Sequence, residues 1–509
     1  MIELTGNDVD VDTVWRVAYQ KTPVRLAESA RRKMQAAKAY IDGRLARGDI
    51  MYGVNTGFGA FSDVRISDQD IEQLQRNLIR SHCCGVGDPF SVAESRAIMF
   101  LRANALATGH SGIRVEVVET ILSFLNHDIV PVIPQQGSVG ASGDLAPLSH
   151  LALALIGEGE VWQDGRSVPV GAVLQAQGLR PLELKAKEGL SLINGCQVMT
   201  AVGLLNAHEA RRLVWIADLA GAMSLEGLRG TRSAFDPLIA ATRRHPGEAK
   251  TARNMLKLLG ATSPIAESHV GCSKVQDAYS LRCMPAVHGA GKDTLRNAVN
   301  TLQIEANSST DNPLVFAAEN KVLSCGNFHG EPVAFVLDFL GIAMSAMASM
   351  SECRIEKLIN PAMSELPAFL TPMGGLNSGL MIVQVAAASL VSENKILAHP
   401  ASVDSIPTSA DKEDHVSMGT IAARKLGQIV RNAENVYAME MLSAAQAIDF
   451  LRPHGPAAGV KAAYDCLRQQ VPFADGDRVF AKDIEVIKGL IRDDSLIGVT
   501  CREVGELEW

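Results

Sequence analysis

Basic residues are in deficit in this 509-residue chain: 48 Lys and Arg stand against 56 Asp and Glu, for a formal net charge of -8 and a pI near 5.9. Phosphate binding wants a basic face, so nucleic acid is not expected as a main partner. The acidic start, MIELTGNDVDVD, lacks an apolar core, and no secretory signal is expected. The nine cysteines are odd in number and include no CxxC pair or His/Cys cluster with zinc spacing. They read as reduced thiols of a cytoplasmic protein, most of them small core residues, and no metal is expected. No Pro/Ser linker, charge block or internal repeat divides the chain. What is present is a 47% hydrophobic composition, which excludes wholesale disorder, and enough length for a large buried core.

Residues 333–350, VAFVLDFLGIAMSAMASM, are long and apolar enough to raise the question of a membrane span. Asp338 sits within them, and an unpaired aspartate in mid-bilayer costs about 2.5 kcal/mol or more. A helix buried in a protein core is the expected state, with no membrane partner.

Helical periodicity dominates elsewhere. Segments near 68–83, 92–108, 115–127, 198–225, 293–307, 331–359, 378–398, 417–448 and 479–492 lack internal proline and repeat apolar residues every three or four positions. Between 331 and 398 the apolar residues surround the helix, as in one buried among others. Strand signals are few; EVWQDGRSVPV at 160–170 alternates around Asp164-Gly165 and predicts a hairpin. The expected fold is mainly α, with a long central helical bundle whose apolar flanks call for a homo-oligomer.

The most unusual stretch is QQGSVGASGDLAPLSH, residues 135–150. Glycines at 137, 140 and 143 permit unusual backbone angles. A flexible turn or a phosphate-cradling loop would also use them, but the stretch fits neither the Walker pattern, nor GxGxxG, nor the GxSxG nucleophile elbow. Another outcome is open to Ala141-Ser142-Gly143. The amide nitrogen of Gly143 can approach the Ala141 carbonyl, because glycine offers no side-chain obstruction. Ring closure and loss of two waters, one of them from the serine side chain, would leave an exocyclic methylene conjugated to carbonyls, an electrophile that no standard side chain supplies.

SVGASGDLAPLSH resembles the signature of the histidine/phenylalanine ammonia-lyases. The resemblance extends through YGVNTGFG at 52–59, LINGCQ at 192–197, VQDAYSLRC at 275–283, STDNPLVF at 309–316, GNFHGEP at 326–332 and EDHVSM at 413–418, in the family's order and over nearly the whole chain. It implies a homotetrameric, long-helix fold. The chain would form a single unit, 1–509, with a prosthetic-group-bearing part over about 1–200 and a helical bundle over about 200–509. The implied group is 4-methylidene-imidazol-5-one (MIO), formed autocatalytically from Ala141, Ser142 and Gly143, with no pyridoxal phosphate and no nucleotide. The implied activity is non-oxidative elimination of ammonia from an aromatic α-amino acid.

The resemblance also distributes roles. Tyr52 is implied as the base for the β-proton, and Tyr279 as a wall of the same pocket. Arg282 suits the substrate carboxylate, because a guanidinium offers a planar two-pronged donor set. Asn194 and Gln276 match positions that hydrogen-bond the prosthetic group or its neighbours, and Phe328 matches a residue packed close to the ring. Asp144 is implied to help cyclisation, with an N-cap role for the following helix as its rival. Asn312 is carried over too, against turn formation before Pro313. Ala278, Cys196 and His110 depart from the family's usual residues without removing a catalytic side chain.

Two positions bear on the substrate. Ser81-His82 matches the pair found in histidine-specific members, whereas phenylalanine-specific relatives are apolar there. Glu413 stands where phenylalanine and tyrosine enzymes and the related aminomutases usually have glutamine. A carboxylate complements an imidazole N–H but would be poorly paired against phenyl, at a cost on the order of 1–3 kcal/mol when buried. The expected substrate is L-histidine, the product trans-urocanate, and the step the first of histidine degradation. A tyrosine or phenylalanine lyase, or a 2,3-aminomutase, is the alternative.

Overall fold

The long helices are built by local signals that agree with one another. Ser91 and Glu94 form a reciprocal capping box, with the Ser91 hydroxyl accepting from Glu94 N at 3.2 Å and Glu94 Oε2 accepting from Ser91 N at 2.8 Å. The helix that follows, Val92–Ala107, is buried from Ser95 to its end, including Arg96, Arg102 and Asn104. The computed structural model describes residues 1–509 apart from Ser62, Asp68, Ser273 and Lys274. Position 68 of the helix expected near 68–83 thus lies outside the described residues, and the helix runs Ile71–His82.

Most residues are helical, as expected, and the strands are short. The longest helices are Gln197–Gly227, Met284–Ala306, Glu331–Ile359 and Gly419–Phe450. The last has 32 residues and spans about 48 Å at 1.5 Å per residue. The expected hairpin is present, Glu160–Gln163 against Arg166–Pro169, and its turn residues Asp164 and Gly165 both have positive φ, at 50° and 74°. Two such angles give the turn a twist that matches the paired strands. Glu331–Ile359 is the one described helix long and apolar enough to cross a membrane. Val333, Ala334, Leu337, Leu340, Met344 and Met347 on it are fully buried in the protein, and Asp338 Oδ2 accepts from Ser402 N at 2.8 Å.

The chain forms two compact units. The first contains Met1–His208, Ala298–Asp338 and Pro400–Arg424; the second contains Glu209–Asn297, Phe339–His399 and Lys425–Trp509. Within the second, helices are locked by fully buried charges. Asp218 accepts from His288 Nδ1 at 2.9 Å, Lys292 Nζ at 2.5 Å and Asn254 Nδ2 at 2.8 Å. Glu440 takes both prongs of Arg354, at 2.5 and 2.8 Å, and the hydroxyls of Ser224 and Ser351. Arg354 also donates to the Ser280 carbonyl at 3.3 Å, which ties the network to the segment that carries Tyr279 and Arg282. Buried charges survive only when paired and hydrogen-bonded in this way.

Candidate active site

The glycine-rich stretch lies in the first unit and is held from below by its own aspartate. Asp144 is fully buried. Its Oδ1 accepts from Ser138 Oγ at 2.8 Å and from the Thr420 hydroxyl; its Oδ2 accepts from the amides of Val198 and Met199, both at 3.0 Å. Burial raises the proton affinity of this carboxyl, and the four donors oppose that. Asp144 occupies the N-cap position of the following helix, Leu145–Leu155, but its side chain makes no capping bond there. The rival N-cap reading is corrected: the carboxylate caps the first turn of Gln197–Gly227 instead, a helix far away in sequence.

Next to it, Gly143 has φ +78° and pairs with Gly195, whose carbonyl accepts from Asp144 N at 2.8 Å. A Cβ at 143 would overlap the Gly195 backbone, so only glycine fits. Asn194, from the turn before Gln197–Gly227, donates its Nδ2 to the Ser142 carbonyl at 2.9 Å, while its buried Oδ1 has no hydrogen-bond partner among the described residues. The Ser142 hydroxyl donates to Glu413 Oε1 at 2.6 Å, and Thr408 donates to Glu413 Oε2 at 2.6 Å. The surroundings of Ala141-Ser142-Gly143 fit ring closure: Ala141 is 4% exposed, the Ser142 carbonyl is held, and nothing but hydrogen stands on the α-carbon of Gly143.

A cavity of about 910 Å³ opens over Ser142. It brings together seven of the expected residues: Tyr52, His82, Ser142, Asn194, Asn312, Phe328 and Glu413. Tyr52 lines it, with the hydroxyl accepting from Gly59 N at 3.4 Å. Phe328 is held through its carbonyl, which accepts from Cys196 Sγ at 3.0 Å. Asn312 accepts at Oδ1 from Cys325 N at 2.8 Å and Ser324 Oγ at 3.2 Å, so it organises its own loop while lining the cavity.

His82 is informative in its tautomer. Its Nδ1 lies 2.8 Å from the Leu78 carbonyl, which can only accept. Nδ1 therefore carries the proton, and in the neutral ring Nε2 keeps its lone pair. Burial lowers the pKa of His82 and favours that neutral form, against the pull of Glu413.

Gln276, Tyr279 and Arg282 belong to the second unit and are not among the residues lining this cavity. There the Arg282 guanidinium stacks over the Tyr279 ring at 4.5 Å, its Nε donates to the Asp277 carbonyl at 3.1 Å, and Tyr279 is 72% exposed. Ala278, before the short helix Tyr279–Arg282, has φ -58°, the angle proline would impose, so the departure keeps the backbone. His110 bonds the Val315 carbonyl at 3.0 Å and packs on Phe316.

Several residues of the site carry no sequence signal. Thr408 positions Glu413, and Ser409 and Ala410 line the cavity in left-handed conformations, φ 53° and 54°, each costing roughly 1–2 kcal/mol. Arg102, fully buried, donates to the Asn194 carbonyl at 2.8 Å and to Gln197 Oε1. Burial pulls its pKa down to about 10. The only sequence hint for Arg102 is a charge inside the apolar run FLRANALA.

Residues 9–469 match the aromatic amino acid lyase family. Over 497 residues the chain is 49% identical to a histidine ammonia-lyase of Myxococcus xanthus (strain DK1622), covering 97% of both chains. Its fold is similar to that of a histidine ammonia-lyase from Trypanosoma cruzi, with a TM-score of 0.92 and 42% identity over 99% of this chain and 96% of that one. It is similar also to a tyrosine aminomutase from Streptomyces globisporus, with a TM-score of 0.94 and 37% identity over 100% of both chains.

Proposed function

Because the chain belongs to the aromatic amino acid lyase family, we propose that it eliminates ammonia from L-histidine to give trans-urocanate, using MIO formed from Ala141, Ser142 and Gly143. One observation carries the choice of substrate: His82, with a free Nε2 lone pair, and the Glu413 carboxylate line the same cavity as Ser142. Acceptors suit a substrate imidazole, which offers one N–H donor when neutral and two as imidazolium. A phenyl ring would offer no donor to His82 Nε2 or to Glu413 Oε1.

Elimination needs an electron sink at the substrate amine and a base at the β-carbon. MIO supplies the sink. Asn194 holds the carbonyl that belongs to this group, through Nδ2. Once Ser142 has lost its hydroxyl, Glu413 Oε1 loses that donor and is released to accept from the substrate ring. Tyr52 is assigned the β-proton, while the roles of Arg282, Tyr279 and Gln276, which do not line this cavity, rest on the motif VQDAYSLRC alone. Phe328 and Asn312 hold the wall of the cavity. Asp144 serves ring closure by fixing the backbone on either side of the tripeptide.

We read the chain as one subunit of a homotetramer. Phe335, Phe339 and Ile342, on one stripe of Glu331–Ile359, are 42%, 50% and 45% exposed, a pattern that calls for cover. Nine free cysteines support a reducing, cytoplasmic setting.

Purified protein incubated separately with histidine, tyrosine and phenylalanine is expected to yield urocanate from the first and at most traces of coumarate or cinnamate from the others. A second reading, a tyrosine or phenylalanine lyase or a 2,3-aminomutase, draws on the likeness to tyrosine aminomutase; coumarate without urocanate, or a β-amino acid, would establish it. His82→Phe tests the pocket directly. Losing one acceptor against a buried imidazole N–H costs about 1–3 kcal/mol, or roughly 10- to 100-fold in kcat/KM for histidine. Unchanged histidine kinetics would remove His82 from the substrate's surroundings.

A further inference from the structure

The segment that cradles Ala141-Ser142-Gly143 is itself anchored by a buried cation, Arg102. We propose that Arg102 is a positioning residue for the electron sink: it clamps the segment 194–197 and sets positive charge behind the Asn194 amide that holds the Ser142 carbonyl. The inference rests on the reading that Ala141-Ser142-Gly143 forms MIO, and it deepens that reading by assigning a residue that touches neither substrate nor prosthetic group.

The cradling segment meets the tripeptide and its neighbour at two points. Asn194 Nδ2 donates to the Ser142 carbonyl at 2.9 Å, and the Gly195 carbonyl accepts from Asp144 N at 2.8 Å. Arg102, on Val92–Ala107, holds the same segment at two others. Its Nη1 donates to the Asn194 carbonyl at 2.8 Å and to Gln197 Oε1. Gln197 Nε2 donates in turn to Thr310 Oγ1 at 2.7 Å, which ties the clamp to a third segment. The approach is close enough to dictate sequence. A Cβ on Gly195 would stand 2.6 Å from Arg102 Nη1 and 2.6 Å from Thr310 Oγ1, so a larger residue would push the guanidinium away.

A clamp alone does not call for a charge, and this charge is a costly one. Arg102 is fully buried, its Nε and Nη2 make no hydrogen bond among the described residues, and no carboxylate among them forms an ion pair with it. The buried anion that acts on it through space, Asp311, is already held by Lys187 Nζ at 2.7 Å and Ser191 Oγ at 2.8 Å. Asp144 is taken up by its own four donors. Lys187, Asp311 and Arg102 together therefore leave one positive charge uncompensated. Burial lowers the pKa of Arg102 only to about 10, so the charge persists at neutral pH. Unpaired buried charge lowers stability, and folds keep such features at functional sites. The use lies at the Ser142 carbonyl. When the substrate amine is captured, electron density moves onto this oxygen, and a fixed donor backed by positive charge stabilises it without reorganisation.

The test compares the full wild-type chain with two variants. Arg102→Gln removes the charge and keeps an amide donor; Arg102→Lys keeps the charge and loses the two-pronged reach. Intact mass, near-ultraviolet difference spectra against Ser142→Ala, and kcat and KM for histidine are read on each. Both variants should mature, weighing two waters less than their translated sequences. In Arg102→Gln the near-ultraviolet band of the conjugated group should move to shorter wavelength, because its carbonyl loses a polarising donor. Outright removal of such a donor costs about 10²–10³-fold in kcat, so mispositioning it should cost at least about tenfold, with KM changed less than about threefold. Arg102→Lys should lie between glutamine and wild type in both readouts. A glutamine chain that matches wild type in band and kcat would overturn the inference, as would a loss confined to KM. If Arg102→Gln does not fold, Arg102→Lys decides: a shifted band with kcat lowered at least about threefold supports the inference, and wild-type values overturn it. A wild-type chain at full translated mass would sink the MIO reading and this inference with it, whereas a mature wild type with silent variants sinks the inference alone.

Discussion

Ser142→Ala is expected to lower ammonia elimination by at least about 10³-fold while leaving the fold intact. The size follows from what the hydroxyl does. It is the only source of the second water lost from Ala141-Ser142-Gly143, so alanine at 142 can form no exocyclic methylene and the amine has no electron sink. Enzymes commonly accelerate their reactions by 10⁶-fold or more, and much of that would rest on this double bond. The structural cost is small by comparison. The Ser142 side chain makes one described hydrogen bond, to Glu413. The Asn194 bond goes to the backbone carbonyl at 142, and the four bonds to Asp144 do not involve this side chain. Loss of one such bond to a carboxylate is worth about 1.5–3 kcal/mol. Intact mass gives an independent readout. The wild-type chain should weigh two waters less than its translated sequence, and the alanine variant should lack at least the serine-derived loss. Full translated mass in an active wild-type chain, or near-normal turnover by the variant, would end the MIO reading.

The parts of the fold that were legible in the sequence are those set by neighbours along the chain. The hairpin around Asp164-Gly165 and the helices Val92–Ala107 and Glu331–Ile359 follow from periodicity, capping and turn chemistry. Elements whose reason lies elsewhere were not legible. Glu28–Ala46 buries only Ala30, Met34, Ala37 and Ile41, a narrow stripe, half of it alanine, too thin to register as amphipathic. Met284–Ala306 begins nine residues earlier than its expected start at 293, because Pro285 and two glycines suggest a break. Proline is tolerated in a first turn. Gly289 is required by contact: a Cβ there would overlap the backbone of Gly247 and Glu248.

The site divides along the same line. Glycines at 137, 140 and 143 announce themselves, since no helix or strand would choose them. The cavity residues Tyr52, His82 and Glu413 came through motifs, whose meaning is borrowed from resemblance; nothing in their spacing predicts that they meet. The support around them includes single polar contacts between remote segments, Arg102 on Asn194 and Cys196 on Phe328, and one within an irregular loop, Thr408 on Glu413. Such contacts leave no periodic trace.

Asp144 shows how much such support is worth, and Asp144→Ala is expected to damage both stability and maturation. Removal of the carboxylate strands the amides of Val198 and Met199 and the hydroxyls of Ser138 and Thr420, all in a fully buried place. The hydroxyls can rotate toward other acceptors, but the two amides at the start of a 31-residue helix cannot. Unsatisfied buried groups cost about 1–3 kcal/mol each, and the lost charge at a helix N-terminus adds up to about 2 kcal/mol, so roughly 3–6 kcal/mol is expected. Denaturant or thermal unfolding would measure it. Asp144→Asn separates scaffold from chemistry. With its oxygen toward Val198 and Met199 and its amide toward the two hydroxyls, which can turn to accept, asparagine satisfies every partner. That variant should keep most of the stability. If the carboxylate acts in ring closure, the folded asparagine chain remains heavier than wild type and turns over histidine poorly. If the carboxylate is only a scaffold, mass and activity match wild type, and Asp144 loses its place in maturation.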